Sequence, residues 1–263
     1  SYTNSSGDDY VAWSWKESAT AGFDIITWIG DDNEMNNDAQ TVNHSLGVVP
    51  ELIIAKHTYE GMSNDENWVV FHKDLQSNYF LKLNTTAGEA EYTDSTGAIS
   101  NVTSSSIDFK NDMGMMESHN LNSGSAYGMN DVSSYVAYVF AGVAGFSSFG
   151  TWVGTGSAST ARFIYTGFRP AWVMHKEIDT DSYNWPIHDS ARDPNNDDSW
   201  NHLIADGADD ENGSNTAGPD AFADFVSNGF NLNSGSTIHG NGNNKTYIYA
   251  AFAEAPFKYA NAR

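Results

Sequence analysis

The sequence predicts an all-β protein of two tandem, internally duplicated, jelly-roll-like β-sandwich modules. Three observations predict it. First, the 263 residues use a strand-and-turn vocabulary, with 13% aromatics and only 12 Lys plus Arg among abundant Ser, Thr, Asn, Asp and Gly. Second, apolar and polar residues alternate with period two over short stretches separated by turn residues. Third, a set of elements occurs twice in one order, at a spacing that suits a small domain rather than a solenoid repeat.

The clearest of these elements is a strand written three times: "YVAWSWKE" at 10–17, "YVAYVFAG" at 135–142 and "YIYAAFAE" at 247–254. In each copy every second side chain shares a face, as Val136, Tyr138 and Phe140 do. "AGFDIITWIG" (21–30) then answers to "AGFSSFGTWVG" (144–154), and "LGVVPELIIAK" (46–56) to "YTGFRPAWVMHK" (165–176). "ENWVVFHKD" (66–74) stands beside "YNWPIHDS" (183–190), and "NLNSGS" appears at both 120–125 and 231–236. These matches define a module 1 over 21–141 and a module 2 over 142–263, each of seven to nine short strands. The matched Trp28, Trp68, Trp152 and Trp185 read as repeat core, because large aromatics dominate such interiors.

Residues 1–20 are left over. Their strand Tyr10, Val11, Ala12, Trp13, Ser14 and Trp15 copies the closing strand of a unit that is not in the chain. It reads as an assembly strand, either cut from an upstream unit or added to a sheet edge of its own chain or a neighbour. With Ser at position 1, the chain reads as a piece of something longer. Stretches 93–106 and 206–220 read as exposed loops, and helix is expected only in "PDAFADFVSNG" (219–229), from Asp220 to Gly229.

The formal charge of −22 excludes partners rich in phosphate, nucleic acid and anionic membranes alike. No apolar run approaches the roughly 20 residues of a membrane span. Cysteine is absent, which removes disulfides and thiol chemistry. No nucleophile elbow, Walker loop, dinucleotide fingerprint or His-Glu-x-x-His motif is present, so the chain reads as no enzyme. His72 with Asp74 and His188 with Asp189 are the nearest approach to a catalytic pair, and they read as strand-end histidines satisfied by neighbours.

No cofactor is called for. The candidate metal ligands are Asp206, Asp209 and Asp210, in a run with calcium-type oxygens but without the register of a calcium loop. Trp200, in the polar run "NNDDSWNH", is the candidate glycan-binding platform. Trp172, aligned with Leu52, reads as core. Sequons fall at Asn4, Asn43, Asn84, Asn101, Asn212 and Asn244, glycosylated only if the protein is secreted.

The runs "YVAYVFAGVAGFSSFGTWVGTG", "FIYTGFRPAWVMHK", "DFVSNGFNL" and the ending "AFAEAPFKYANAR" resemble the C-terminal region of uncharacterised virion proteins of marine tailed phages. The resemblance is closest over 135–263. It implies a non-enzymatic structural protein of the virion surface, an appendage or decoration component that associates with itself. Two other readings remain beside it: a glycan-binding adhesin module, and a subunit of an extracellular filament built by strand donation.

Overall fold

A computed structural model of the chain describes residues 10–30, 39–58, 67–92, 98–110, 134–160, 162–192, 194–196, 202–207, 223–233 and 240–253. The protein is all-β, a sandwich-type fold of packed antiparallel sheets, with 17 strands among these residues. Among the described residues no helix is long and apolar enough to cross a membrane.

The first half contributes β1 (Phe23–Ile29), β2 (Ala39–Asn43), β3 (Leu52–His57), β4 (Val69–His72), β5 (Tyr79–Lys82), β6 (Ala90–Glu91), β7 (Ile99–Ser100), β8 (Ser106–Lys110) and β9 (Ser134–Phe140). They form a large sheet ordered β1-β9-β3-β4-β5-β6 and a small one ordered β2-β8-β7. The second half contributes β10 (Ser147–Val153), β11 (Phe163–Tyr165), β12 (Pro170–Glu177), β13 (Pro186–Asp189), β14 (Leu203–Ile204), β15 (Ala223–Val226), β16 (Gly229–Leu232) and β17 (Thr246–Ala253). Their sheets run β10-β17-β12-β13-β14 and β11-β16-β15. Apart from β6, which has no counterpart among the described residues, the two orders are the same series, so the duplication seen in the sequence is a duplication of topology.

Register carries the match to single residues. Trp28 pairs with Tyr135 and Trp152 with Tyr247. In both pairs the rings stack at 5.2 Å and 12°. Leu52 faces Phe140 as Trp172 faces Phe252, which makes Leu52 and Trp172 counterparts.

Three apolar clusters separate four layers. One lies between the sheets of the first half, with Ile53, Val69, Ile107, Phe109 and Val139 fully buried. Another lies between the sheets of the second half, around Trp152, Val173, Phe230, Leu232 and Tyr247. The third joins the halves: Phe23, Leu52, Val70, Leu81 and Phe140 meet Phe149, Trp172, Met174, Trp185, Ile187, Ile248 and Phe252. The large sheets therefore pack face to face as inner layers. Alternation alone suggests one buried face per strand, but β17 is buried on both, with Ile248, Ala250 and Phe252 in the seam and Tyr247, Tyr249 and Ala251 in the outer core. Each fully buried Leu or Phe contributes roughly 1.5–3 kcal/mol, so the seam stabilises both modules together.

Three sequence expectations change here. Residues 10–17 form no strand; they run without regular structure into a short 3-10 turn at Ala19–Ala21. The segment expected as helix from Asp220 is, where described, the hairpin β15–β16, with Phe225 turned inward. Its Phe and Val spacing imitates a helical face, but register against β11 places Phe230 and Phe225 in the outer core. The expected loop 93–106 contains β7, whose Ile99 is core. The "NLNSGS" copy at 120–125 lies outside the described residues.

Candidate functional site

The seam between the large sheets holds what is particular to this chain. At one end of it the leading segment lays Trp13 and Trp15 across the apolar cluster. Trp15 meets Phe140 at 6.3 Å and Phe252 at 5.3 Å, and those two rings are 5.8 Å apart, all edge to face. Trp15, Phe140 and Phe252 occupy the same position in the three copies of the repeated strand. Three equivalent residues thus close one triangle of rings. Each edge-to-face pair is worth about 0.5–1.5 kcal/mol beyond burial. Trp13 and Trp15 also abut Trp172, and the Arg192 guanidinium lies 5.9 Å from the Trp13 ring.

The turn after each copy is shared as well. Ser18 bridges to Phe23 and Val143 to Ser147, with left-handed Gly22 and Gly145 inside the turns. A Cβ on Gly22 would come to 2.4 Å from the Ala141 carbonyl oxygen, so glycine is required there. Trp15 therefore enters module 1 as Phe140 enters module 2. The difference is that β9 is laddered on both sides, whereas Tyr10–Trp15 joins no ladder among the described residues and leaves Tyr10 and Val11 about half exposed. Beneath it the buried Trp172 indole N–H finds no acceptor among the described residues.

Polar groups stitch the seam. The His72 ring, 1% exposed, hydrogen-bonds through Nε2 to the Tyr249 carbonyl across the seam. Its Nδ1 accepts the Asp74 N–H, which fixes the neutral tautomer. Burial holds its pKa down at about 4, against the pull of Asp74. The Trp185 indole donates to the Lys82 carbonyl at 2.9 Å. Buried Lys176 donates to the carbonyls of Thr86 and Tyr183, and desolvation lowers its pKa to about 8. Gly88 and Glu89 strap the first half to the second through Asp181 and the Ile178 carbonyl.

The other sequence candidates fall as follows. Trp152 and Trp185 are buried; Trp28 and Trp68 are half-buried, Trp28 stacked on Phe109 and Trp68 on Tyr138 with Lys56 over its ring. Trp172 and Tyr183 are buried. Trp200, Asp209 and Asp210 lie outside the described residues. Asp206 caps the Trp185 N–H at 2.8 Å, a structural contact. No group of three His, Cys, Asp or Glu suited to a metal occurs among the described residues. Asn84 and Asn101 donate their amide nitrogens to Asn67 and Asp108, while Asn43 and Asn244 are exposed. Asn4 and Asn212 lie outside the described residues.

His72 does end β4 and is satisfied by Asp74, but it is buried, while His188 lies within β13. His72 is interior, and Asp189 binds Arg192 at 2.7 Å rather than His188. His188 instead shares a 3.4 Å Nε2–Nε2 contact with His175, and His202 follows at 5.4 Å between ring centroids. In module 1 the corresponding positions are Ala55, Phe71 and Phe80, counted from the pairing of β3, β4 and β5. This row is a product of divergence that no motif announces.

Fold and seam define a double sandwich whose halves share one core and which carries a spare copy of its closing strand. The chain belongs to the DUF7483 family, a domain of unknown function, whose family model matches residues 1–256. No curated protein and no solved structure matches it.

Proposed function

We propose that this chain is a non-enzymatic structural subunit of the outside of a phage particle, a tail-fibre or head-decoration component that associates with copies of itself. The observation that carries this is the leading segment: a third copy of the repeated strand, seated by two Trp side chains yet part of no sheet among the described residues. A segment that copies β9 and β17 has the pattern of a strand built to pair, and among the described residues it takes part in no strand ladder. Edge strands receptive to such pairing are present. β1 and β10 each end a large sheet, run seven residues without Lys or Pro, and expose Ile25, Ile29 and Val153. The charge of −22 keeps assembled particles apart and makes association salt-dependent.

Electron microscopy and light scattering of the full chain, beside a variant lacking residues 1–16, test the reading. Symmetric oligomers or fibres are expected from the full chain, and their loss from the variant while its β-type circular dichroism persists. Assembly that survives the deletion, or a full chain that stays monomeric at every salt concentration, overturns it.

A further inference from the structure

The outer face of the small sheet of module 2 differs from its counterpart in a way the fold does not require. β11 buries Ile164 and turns Phe163 and Tyr165 outward, 44% and 68% exposed. Register places Phe163 in one cross-strand row with Asn231 and Asp224, and Tyr165 in the next row with Gly229. Both rings lie on glycines. A Cβ on Gly229 would meet Phe163 Cε2 at 2.9 Å, and one on Gly167, at φ +85°, would lie 3.5 Å from the Tyr165 hydroxyl oxygen and 3.7 Å from its ring. A side chain at position 229 would thus collide with the Phe163 ring, and both rings stay partly open to solvent. The centroids are 6.5 Å apart and the planes meet at 65°, a shallow V beside an amide and a carboxylate.

Module 1 has nothing of the kind. Trp28 packs on Phe109 as Trp152 does on Phe230, and that match aligns Phe163 and Tyr165 with Ala39 and Thr41. There Thr41 donates to Asp108 at 2.6 Å, so the polar groups of that face satisfy one another. The aromatic pair belongs to one copy only, and stabilising the sandwich does not demand it.

We infer that Phe163, Tyr165, Asn231 and Asp224 form a binding platform for a neutral glycan. The C–H face of a pyranose stacks on an exposed ring, while an amide and a carboxylate side by side receive its hydroxyls. Two rings make a patch far smaller than a stable protein interface, which needs on the order of 800 Å² per partner. The adjacent Asp224 and the net charge of −22 disfavour sialylated, sulfated or phosphorylated ligands. The platform lies on an outer layer, so pairing at the edges of the large sheets does not have to cover it.

The full chain on a printed array of neutral and acidic oligosaccharides, followed by titration calorimetry with the best neutral one, tests this. Saturable binding to a neutral glycan is expected, weakened by about tenfold or more in Phe163→Ala and in Asn231→Ala. A Val48→Ser/Val49→Ser control, altering exposed aliphatics on the other half, retains binding, and circular dichroism verifies each fold. Binding confined to acidic glycans, binding that survives Phe163→Ala/Tyr165→Ala, or no binding on the array overturns the proposal. So does a double variant whose only defect is lost self-association, which makes the face a contact between copies. None of these outcomes depends on residues 1–16, so this proposal and the assembly reading fail separately.

Discussion

At the scale of the residue, one position of offset decides what a histidine does. His72 follows Trp68 by four residues and His188 follows Trp185 by three, so the sequence places them near one another in the repeat. A shift of one flips the face. His72 pairs with Leu52 and points into the seam, whereas His188 pairs with Val173 and points to the outer core. The matched Trp residues were legible because they share register; the destinations of the histidines were not. A pH prediction belongs to this scale. The unfolded imidazole takes its proton near the usual value of 6.5, the buried one only at about 4. His72 therefore contributes fully above 6.5, and stability is lost as pH falls through that window toward 4, by about 3 kcal/mol in all. Urea melts at pH 7 and pH 4.5 should show that His72→Gln loses less stability on acidification than the parent chain. Equal losses would remove His72 from the account.

At the scale of the element, strands and their pairing were readable wherever both copies kept the pattern, as in β3 and β12 or β9 and β17. Where the second copy drifted, local spacing misled, and the β15–β16 hairpin read as helix. The seam was not readable at all: alternation tells which residues share a face, never which face meets another sheet. Two predictions test how the elements are joined. Gly88→Ala would place a Cβ at 2.7 Å from the Ile178 carbonyl oxygen and 2.9 Å from that of Thr180. It should cost about 1–3 kcal/mol in denaturant melts by forcing the strap away and unpairing buried groups. Trp15→Ala should cost about 2 kcal/mol, less than a fully buried Trp because the ring is only half-buried. Unchanged melting in either variant means that the strap or the segment is not held in solution.

At the scale of the whole molecule, duplication made two modules legible, and the structure fuses them. Phe140, Leu52 and Val70 have no cover without Phe252, Trp172 and Ile187. Calorimetry should therefore give one transition in which the calorimetric and van't Hoff enthalpies agree. Two separated transitions would show the seam to be weak. Charge acts on the same scale. With 34 acids against 12 bases, the folded state repels itself, and raising salt from about 10 mM to 0.5 M shortens the Debye length enough to relieve this. The melting temperature should rise over that range, and a flat response would mean that bound counterions already neutralise the surface.

The seating of Trp13 and Trp15 also has a mechanical meaning. Tension applied at residue 10 reaches two half-buried rings before it reaches the ladder of β1. Rings held by packing come away one at a time, whereas a pair such as β1 and β9 resists as a unit. The eight residues 10–17 then straighten to about 26–29 Å, adding slack while both sandwiches stay folded. Such a seating predicts a short first extension ahead of any unfolding. Pulling single chains between residue 10 and residue 253 should show that short step at low force, and Trp15→Ala should erase it.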